Sequence, residues 1–514
     1  MSWIQENKGL ARGAKSRQIQ RVQPPSQDPR DIRIAELEAQ VAAQTKRIEM
    51  LEAKLEEAAL RHREREAQLE TIIADLRAQL GQNSRNSSKP PSSDRGEARQ
   101  KRPKKGPSGR RRGGQHGHRR SMRELVPLDQ VDQVKDVIPP RCRHCEAALR
   151  GRDNHPQRHQ VIELPAVKPI VHEWRLHALK CSQCGHRTRA TTPVEVAQGS
   201  FGPRLTATVA ALTGMYRLSK RNALRLLQDL MGLRVALGTI SKIERRVSQA
   251  LTKPVAEVAA AIRGSPVVYI DETSWTEDKQ TTWLWSASTP SLAYYHIAGR
   301  TRAVAHQVLG EDFAGILVSD RMASYADRAP DRRQVCWAHL DRTFEGIIAR
   351  GGPGVRFGQA MKNLTARMWR AWGELGDGRR TRASFECFMS KLGAKVRAVL
   401  REYAPLRIPK VSRLAENLLA IEPALWTFVR HPDVEPTNNA AERALRPGVI
   451  HRKTSFGTDS PRGSFFISRM LSTVETLRRQ GRRVFTFLVD LLAGNRSNHP
   501  IPSLLPAQSQ AAFP

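Results

Sequence analysis

Pro266-Val267-Val268-Tyr269-Ile270-Asp271 reads as a short buried strand that ends on a carboxylate, and Gly315-Ile316-Leu317-Val318-Ser319-Asp320 repeats the pattern. Each is an apolar run rich in β-branched residues, too short for a helix, and each stops at Asp. Between them, Thr281 to Ser288 and Leu292 to Ala298 are two further strand-like runs, and Arg302 to Leu309 has helical periodicity. Gln334-Val335-Cys336-Trp337 supplies a fifth strand. Three strands in a meander, then helix, strand, helix and strand, make an α/β core. In it the two Asp-terminated strands can lie side by side. Two carboxylates at one sheet edge repel, and a bound divalent cation relieves the repulsion. A single strand-end Asp would mean little, because Asp is common in turns. The pair marks Asp271 and Asp320 as candidate ligands of Mg2+.

A second ion needs a third acid. Pro436-Thr437-Asn438-Asn439-Ala440-Ala441-Glu442-Arg443-Ala444-Leu445-Arg446-Pro447 predicts a helix capped by Thr437 or Asn438, with Glu442 mid-helix and Pro447 at its end. Glu435 and Glu272 compete with Glu442 on spacing alone. The plain structural alternative is a surface Glu442–Arg446 pair, worth a few tenths of a kcal/mol.

The 514 residues carry 85 Lys plus Arg against 50 Asp plus Glu, a net charge of +35. So large an excess points to a polyanionic partner, since every cation placed on a phosphate releases a counterion. A composition 39% hydrophobic allows at least one sizeable core. No apolar run approaches the roughly 18 residues of a membrane span, and the charged N-terminus lacks a signal-peptide core, so a cytoplasmic protein without membrane partners is expected.

Before the acids the chain divides by composition. Residues 1–30 read as a disordered N-terminus. Residues 31–80 carry a heptad pattern, with Ile34, Val41, Ile48, Leu55, Leu69 and Leu76 at a and Leu37, Leu51 and Ile72 at d; it weakens at His62 and Arg65. This predicts a coiled coil and a homo-oligomer, against the alternative of one amphipathic helix packed on its own chain. Residues 81–123 hold almost no apolar side chain but contain Lys101-Arg102-Pro103-Lys104-Lys105 and Arg110-Arg111-Arg112, and so read as a flexible basic linker.

Residues 124–196 read as a zinc ribbon. Cys142-x2-Cys145 and Cys181-x2-Cys184 can each turn two thiolates onto one tetrahedral Zn2+, with alternating segments at Val161–Leu164 and Val171–Leu176 between them. A redox dithiol needs one such pair and a βαβ pattern that the sequence lacks. His144 and His186 are weaker alternative ligands. Residues 197–260 are helical, over Leu205–Met215, Ser219–Met231 and Thr239–Leu251. The last helix presents Ser241, Lys242, Arg245 and Arg246 on its polar side, as a DNA-reading helix-turn-helix or a structural three-helix bundle would.

The element order is that of a ribonuclease H-like fold, and the motifs together resemble the insertion sequence 66 type of transposase, a DDE enzyme. The residues that carry the resemblance are Ser87-Ser88-Lys89-Pro90-Pro91-Ser92-Ser93-Asp94, the two CxxC pairs, Tyr269-Ile270-Asp271-Glu272-Thr273, Val318-Ser319-Asp320, Cys336-Trp337-Ala338-His339, Asn438-Asn439-Ala440-Ala441-Glu442-Arg443, Arg452-Lys453-Thr454-Ser455-Phe456 and Pro461-Arg462-Gly463. The likeness runs over most of the chain. It implies a triad of Asp271, Asp320 and Glu442 holding two Mg2+ or Mn2+ ions, in a catalytic domain built from 261–340 and 431–460. It further implies a helical insertion over 341–430, and a C-terminal helical region and tail over 461–514. Cys336 and His339 would support the site, with His339 near the DNA and neither binding zinc. Arg443, Arg446, Arg452 and Lys453 would steady phosphates. Residues 203–250 are less familiar, and Asp341 stands where a basic residue is expected.

The implied activity is that of a bacterial insertion-sequence transposase working on the nucleoid. It would bind element ends, cut them, and join the 3′-OH ends to target DNA by two-metal phosphoryl transfer. Small accessory proteins of the same element are further candidate partners. Three other classes compete: a nuclease that cuts without joining, a zinc-containing DNA-binding regulator with a decayed catalytic domain, and a coiled-coil scaffold. The scaffold leaves the strand-end acids unexplained.

Overall fold

The computed structural model describes residues 29–83, 86–87, 123–193, 196, 199–494 and 501–506. The expected disordered N-terminus through residue 28, most of the basic linker with its Lys and Arg clusters, and the end of the tail lie outside them. The chain divides into two compact units, Met1–Leu80 and Gly81–Pro514.

The first unit is α1, Pro29–Leu80, a 52-residue helix. Its Ala, Leu, Glu, Lys and Arg content favours the helix, with Pro at the tolerated first position and Gly81 after the last. The apolar heptad residues, among them Val41, Leu55 and Leu76, are exposed along its length.

In the second unit the cysteine-bearing segment contributes β1, Ala178–Lys180, and β2, Arg187–Arg189, an antiparallel pair that straddles the second CxxC. The alternating segments at 161–164 and 171–176 form no ladder, and Val161, Leu164, Ile170 and Val171 are exposed. Alternation specifies a strand only when one face has a core to enter, and this segment builds none.

A helical group follows: α2, Pro203–Ala210, continued by one π-helical turn at Ala211–Met215; α3, Lys220–Met231; α4, Leu237–Ala250; and α5, Thr252–Arg263. Ser219 caps α3 by accepting from the Asn222 amide, and Gly232 ends it in the left-handed region. Lys220 reaches from α3 to α4, donating to Ser241 Oγ and pairing with Glu244, both at 2.9 Å.

The sheet comprises β3, Val267–Glu277; β4, Gln280–Ser288; β5, Ala293–Ala298; β6, Ile316–Ser319; and β7, Arg333–Val335, with α6, Arg302–Leu309, between β5 and β6. Its five strands run in the order β5-β4-β3-β6-β7. The meander β3-β4-β5 is antiparallel, while β6 lies parallel to β3, and β7 parallel to β6. Three details differ from the sequence reading. β3 does not end on Asp271 but runs on to Glu277, because β4 pairs with it all the way to the Glu277–Gln280 turn and gives the residues past the acid a partner strand. The helix expected between β6 and β7 is replaced by two single 3-10 turns, Ala323–Tyr325 and Pro330–Arg332. So short a crossover, interrupted by Pro330, has no room for a packed helix. The last strand also ends at Val335, and Trp337 already belongs to the next helix.

The segment between the second and third acids is helical: α7, Trp337–Arg350; α8, Val355–Gly376; α9, Arg382–Tyr403; α10, Val411–Ala420; and α11, Thr427–Arg430. Asp341, anomalous in the sequence, joins α7 to α8 by accepting from Lys362 at 2.8 Å and from Thr365 at 2.9 Å. The chain returns to the sheet through α12, Asn439–Ser455, then α13, Pro461–Arg479, and α14, Val484–Gly494. Pro447 does not end α12, as the sequence suggested, but lies inside it. Packing outweighs the lost hydrogen bond: Gly448 sits directly on β4, where an added Cβ would lie 2.2 Å from Leu284 Cδ2.

Two cores flank the sheet. Val268, Ile270 and Leu317 pack with α2, α4, α5, α13 and α14 on one side. Tyr269, Ile316, Val318 and Val335 pack with α7 to α11 on the other.

Candidate active site

Strand alternation decides which way the acids point. Val267 and Tyr269 enter the α7–α11 core, so Asp271, two residues on, belongs to the same face. Ile316 and Val318 do the same on β6 and carry Asp320 to that face. Tyr269 is directly opposite Val318 in the parallel register, so one further pleat on each strand arrives at Asp271 and Asp320.

Glu442 comes from the first turn of α12, not mid-helix. Asn438 brings it there. Its side chain is fully buried and donates from Nδ2 to the Ile270 carbonyl at 2.7 Å, instead of capping its own helix. Its carbonyl accepts the Glu442 amide at 3.1 Å, and its own amide donates to Cys336 Sγ at 3.1 Å. The Cys336 amide donates to Ser319 O, and the Trp337 amide to Pro436 O, both at 2.9 Å. The middle of β3, the ends of β6 and β7 and the start of α12 are thus laced at the residues flanking all three acids. Cys336 is a buried thiol inside that lacing, with burial raising its pKa.

Asp271 retains partial access as a residue, yet its carboxyl is desolvated and held well above the ordinary carboxylate range. Burial is the largest cause, then the charges of Glu272 and Asp320, with Glu442 adding; the Glu272 amide, donating to Oδ1 at 2.9 Å, opposes them. Asp320 Oδ1 accepts the Met322 amide at 2.8 Å. Glu442 Oε1 lies 3.5 Å from Arg342 Nη2 and 3.7 Å from His339 Nε2. His339 is pushed down by burial and Arg342, against the pull of Glu442 and Asp320, and its Nδ1 is buried without a hydrogen-bond partner.

Glu272, a competitor for the third acid, points to the other face and is saturated. Arg300 donates to its Oε1 from Nε at 3.1 Å and from Nη2 at 2.8 Å, and the Tyr325 hydroxyl donates to Oε2 at 2.8 Å. Arg300 stacks on Trp283 at 4.2 Å. Arg333, itself buried, donates to the carbonyls of Asp320 and Tyr325. This clamp fixes the loop after Asp320 against β3. Neither Arg300 nor Tyr325 was legible from sequence, because each partner lies tens of residues away. Glu435, the other competitor, is exposed.

The acids are neighbours, not a closed shell: among the described residues no three His, Cys, Asp or Glu side chains form a ready-made metal cage. The donor chemistry nonetheless suits a hard divalent cation, since Asp271 is desolvated and the charges of Asp320 and Glu442 oppose its own.

The cations distribute unevenly. Lys242 and Arg245 are exposed on α4, while Arg246 is half-buried, its Nη2 lying 3.2 Å from where Gly199 would carry a Cβ. On α12, Arg443, Arg446 and Lys453 are exposed, but Arg452 turns inward and donates to Thr273 Oγ1 at 3.2 Å and to Ser274. In this arrangement Arg452 ties α12 to β3.

The two CxxC pairs form matching knuckles. The Glu146 amide donates to Cys142 O and the Gly185 amide to Cys181 O, each at 3.0 Å, and both donors have left-handed backbone. In the first knuckle the Cys142 thiol is held below the ordinary range chiefly by the Cys145 amide, then that of His144; in the second the Cys184 and Gln183 amides do the same for Cys181.

Comparison with known proteins places the chain among relatives. Residues 198–464 match the model of the Transposase IS66 family, and residues 22–124 match a Family of unknown function (DUF6444). The chain is 28% identical over 229 residues to the uncharacterized protein y4qI of Sinorhizobium fredii, covering 39% of this chain and 41% of that protein, less than half of its length. It is 23% identical over 431 residues to the uncharacterized protein y4hP of the same organism, covering 75% of this chain and 76% of the relative. The first match spans more than half of the chain and includes all three acids, and on that ground the chain belongs to the IS66 family of transposases.

Proposed function

We propose that this chain cuts the DNA ends of its insertion element and joins the 3′-OH ends to target DNA, at two Mg2+ or Mn2+ ions held by Asp271, Asp320 and Glu442. One observation carries the reading: Asp271 is desolvated among the charges of Asp320, Glu442 and Glu272, an arrangement that a cation stabilises. The ribonuclease H-like order of the sheet supports it, because that order puts both aspartates on one face. Bound divalent ions would activate water and neutralise developing charge on the phosphate. The chain's own part is positional. Asn438 and Cys336 hold the start of α12 against β3 and β7, Arg342 and His339 orient Glu442, and Arg443, Arg446 and Lys453 offer charge to phosphates. The test is strand cleavage and strand transfer by Asp271→Asn: wild-type activity in Mg2+ sinks the assignment, and cut but unjoined product reduces it to a nuclease.

The remaining parts follow from the same reading. Cys142, Cys145, Cys181 and Cys184 would share one structural Zn2+, which stands in for the core this segment lacks; metal content before and after substitution of Cys181 and Cys184 tests it. The exposed apolar stripe of α1 would pair with a second copy as a coiled coil, holding two DNA ends together. A shift to monomer on deleting 29–80 is the expected result. Lys242, Arg245 and Arg246 would contribute to DNA binding from α4. No described helix is long and apolar enough to cross a membrane, and DNA as substrate places the work at the nucleoid.

A further inference from the structure

Phe456 ends α12 in a conformation and an exposure that the fold does not require. Among the described residues it is the most exposed aromatic side chain, at 83%, and it holds a left-handed backbone, φ 61°. Left-handed geometry at a helix end is normally given to Gly or Asn, because a bulky side chain is strained there. Exposing a whole phenyl ring to water is a second penalty. Either one alone would pass as ordinary, but both at one residue ask for a ligand.

The ring is also held on a rigid mount. Its amide donates to Arg452 O at 2.8 Å, and Ser455 Oγ bridges His451 O and Gly457 O. Gly457, φ 108°, lies so close to β3 that an added Cβ would stand 2.1 Å from Thr276 O, and the Thr458 amide donates to that same oxygen at 2.9 Å. Earlier on α12, His451 stacks on Trp275 of β3, with ring centroids 5.7 Å apart. Lys453, Thr454 and Ser455, which precede the ring in the chain, are exposed; the two hydroxyls donate to backbone carbonyls, so Lys453 is the group among them that offers charge to a phosphate.

A flat apolar ring on a fixed backbone, at the end of a helix whose Arg443, Arg446 and Lys453 are exposed, suits a nucleobase, whose π-face stacks on it whatever its identity. We infer that Phe456 stacks on an unpaired or unstacked base of the DNA bound by this chain. The inference rests on the transposase reading and adds to it a residue that grips DNA away from the acids. Fourteen positions separate Glu442 from Phe456 along α12, about 21 Å at 1.5 Å per residue. That distance corresponds to roughly six nucleotide steps of 3.4 Å, so the stacked base lies well outside the reacting phosphate.

The experiment uses the full chain and two labelled probes of the same length, a blunt duplex and a duplex with a single-stranded tail carrying 2-aminopurine. The unaltered chain should quench 2-aminopurine on binding. Phe456→Trp should keep the quench, while Phe456→Gly and Phe456→Leu should lose it and bind the tailed probe roughly five- to 150-fold more weakly, the range expected for one lost stacked base. Affinity for the blunt duplex should change little. Phe456→Gly should also raise the thermal midpoint, because Gly accepts the left-handed backbone, which separates lost stacking from lost folding. Equal quenching by wild type and Phe456→Gly overturns the inference and leaves the transposase reading standing. Failure of the unaltered chain to bind either probe overturns both.

Discussion

The Asn438 side chain donates to the carbonyl of Ile270 at 2.7 Å, one residue before Asp271, while the Asn438 carbonyl starts the helical turn that holds Glu442. One buried amide therefore sets two acids that are far apart in the chain. Asn438→Ala should cost about 1–3 kcal/mol, because the Ile270 carbonyl loses the donor that the fully buried Asn438 side chain supplies. DNA cleavage should fall more than this loss of stability explains. Denaturant unfolding and cleavage, measured on the same preparation, check it: a variant with lowered midpoint and full activity below that midpoint would show that the bond only stabilises.

Tyr325→Phe removes one donor from the buried Glu272 carboxylate and leaves Arg300 in place. A loss of about 1–3 kcal/mol is expected. Glu272 lies on the face opposite Asp271, so the change should reach the site through the loop that carries Asp320 and through the Glu272 charge that acts on Asp271. The Mg2+ concentration needed for half-maximal cleavage should rise. No change in either stability or Mg2+ requirement would remove the clamp from the account.

His451 offers a pH signature away from the acids. Burial, with Arg217 adding, holds its pKa at about 4 in the fold. The unfolded value is about 6.5, so above that pH both states are neutral and its full contribution is present. As pH falls from about 6.5 towards 4 the unfolded chain binds the proton first, and stability is lost, by up to roughly 3 kcal/mol. His451→Phe keeps a ring against Trp275 and has nothing to protonate. Its unfolding free energy should be flatter than wild type over that window, and parallel pH profiles would refute the assignment.

Gly457→Ala puts a methyl group 2.1 Å from Thr276 O in a left-handed backbone, φ 108°. The two nearest atoms are Thr276 backbone and the third is the Thr276 Cβ bonded directly to that backbone, so none can rotate away. A cost of at least about 2 kcal/mol is expected, from strain and from loss of the Thr458–Thr276 and Asp278–Thr458 hydrogen bonds. Gly373→Ala makes a suitable control, since nothing lies within 4 Å of its added Cβ. It should be neutral or stabilising; equal effects of the two changes in thermal unfolding would contradict the close approach.

Local pattern alone determined most of the strands, because a short apolar run bounded by turn residues leaves the backbone few options: β4, β5, β6 and the first half of β3 lie where the alternation and the β-branched residues put them. The same pattern identified the strand that leads into Asp320 and the knuckle-forming cysteines, but it stopped β3 at Asp271, which lies inside a strand that continues to Glu277. It failed where a partner is distant. Whether Val161 and Val171 enter a ladder depends on a core, and the sequence cannot show that none is built. Whether Pro447 ends α12 depends on how tightly Gly448 can lie on Leu284.

Only the tertiary structure sorted the acids. Asp271 and Glu272 are adjacent in sequence and equal in charge, but strand alternation sends one to the face shared with Asp320 and the other into the hands of Arg300 and Tyr325. Glu442 joins the first group because Asn438, which looked like a helix cap, spends its side chain on β3 instead. Residue type and spacing fix what each segment can form alone; which carboxylate meets which cation is decided by side chains brought together from across the fold, and chain order does not encode that directly.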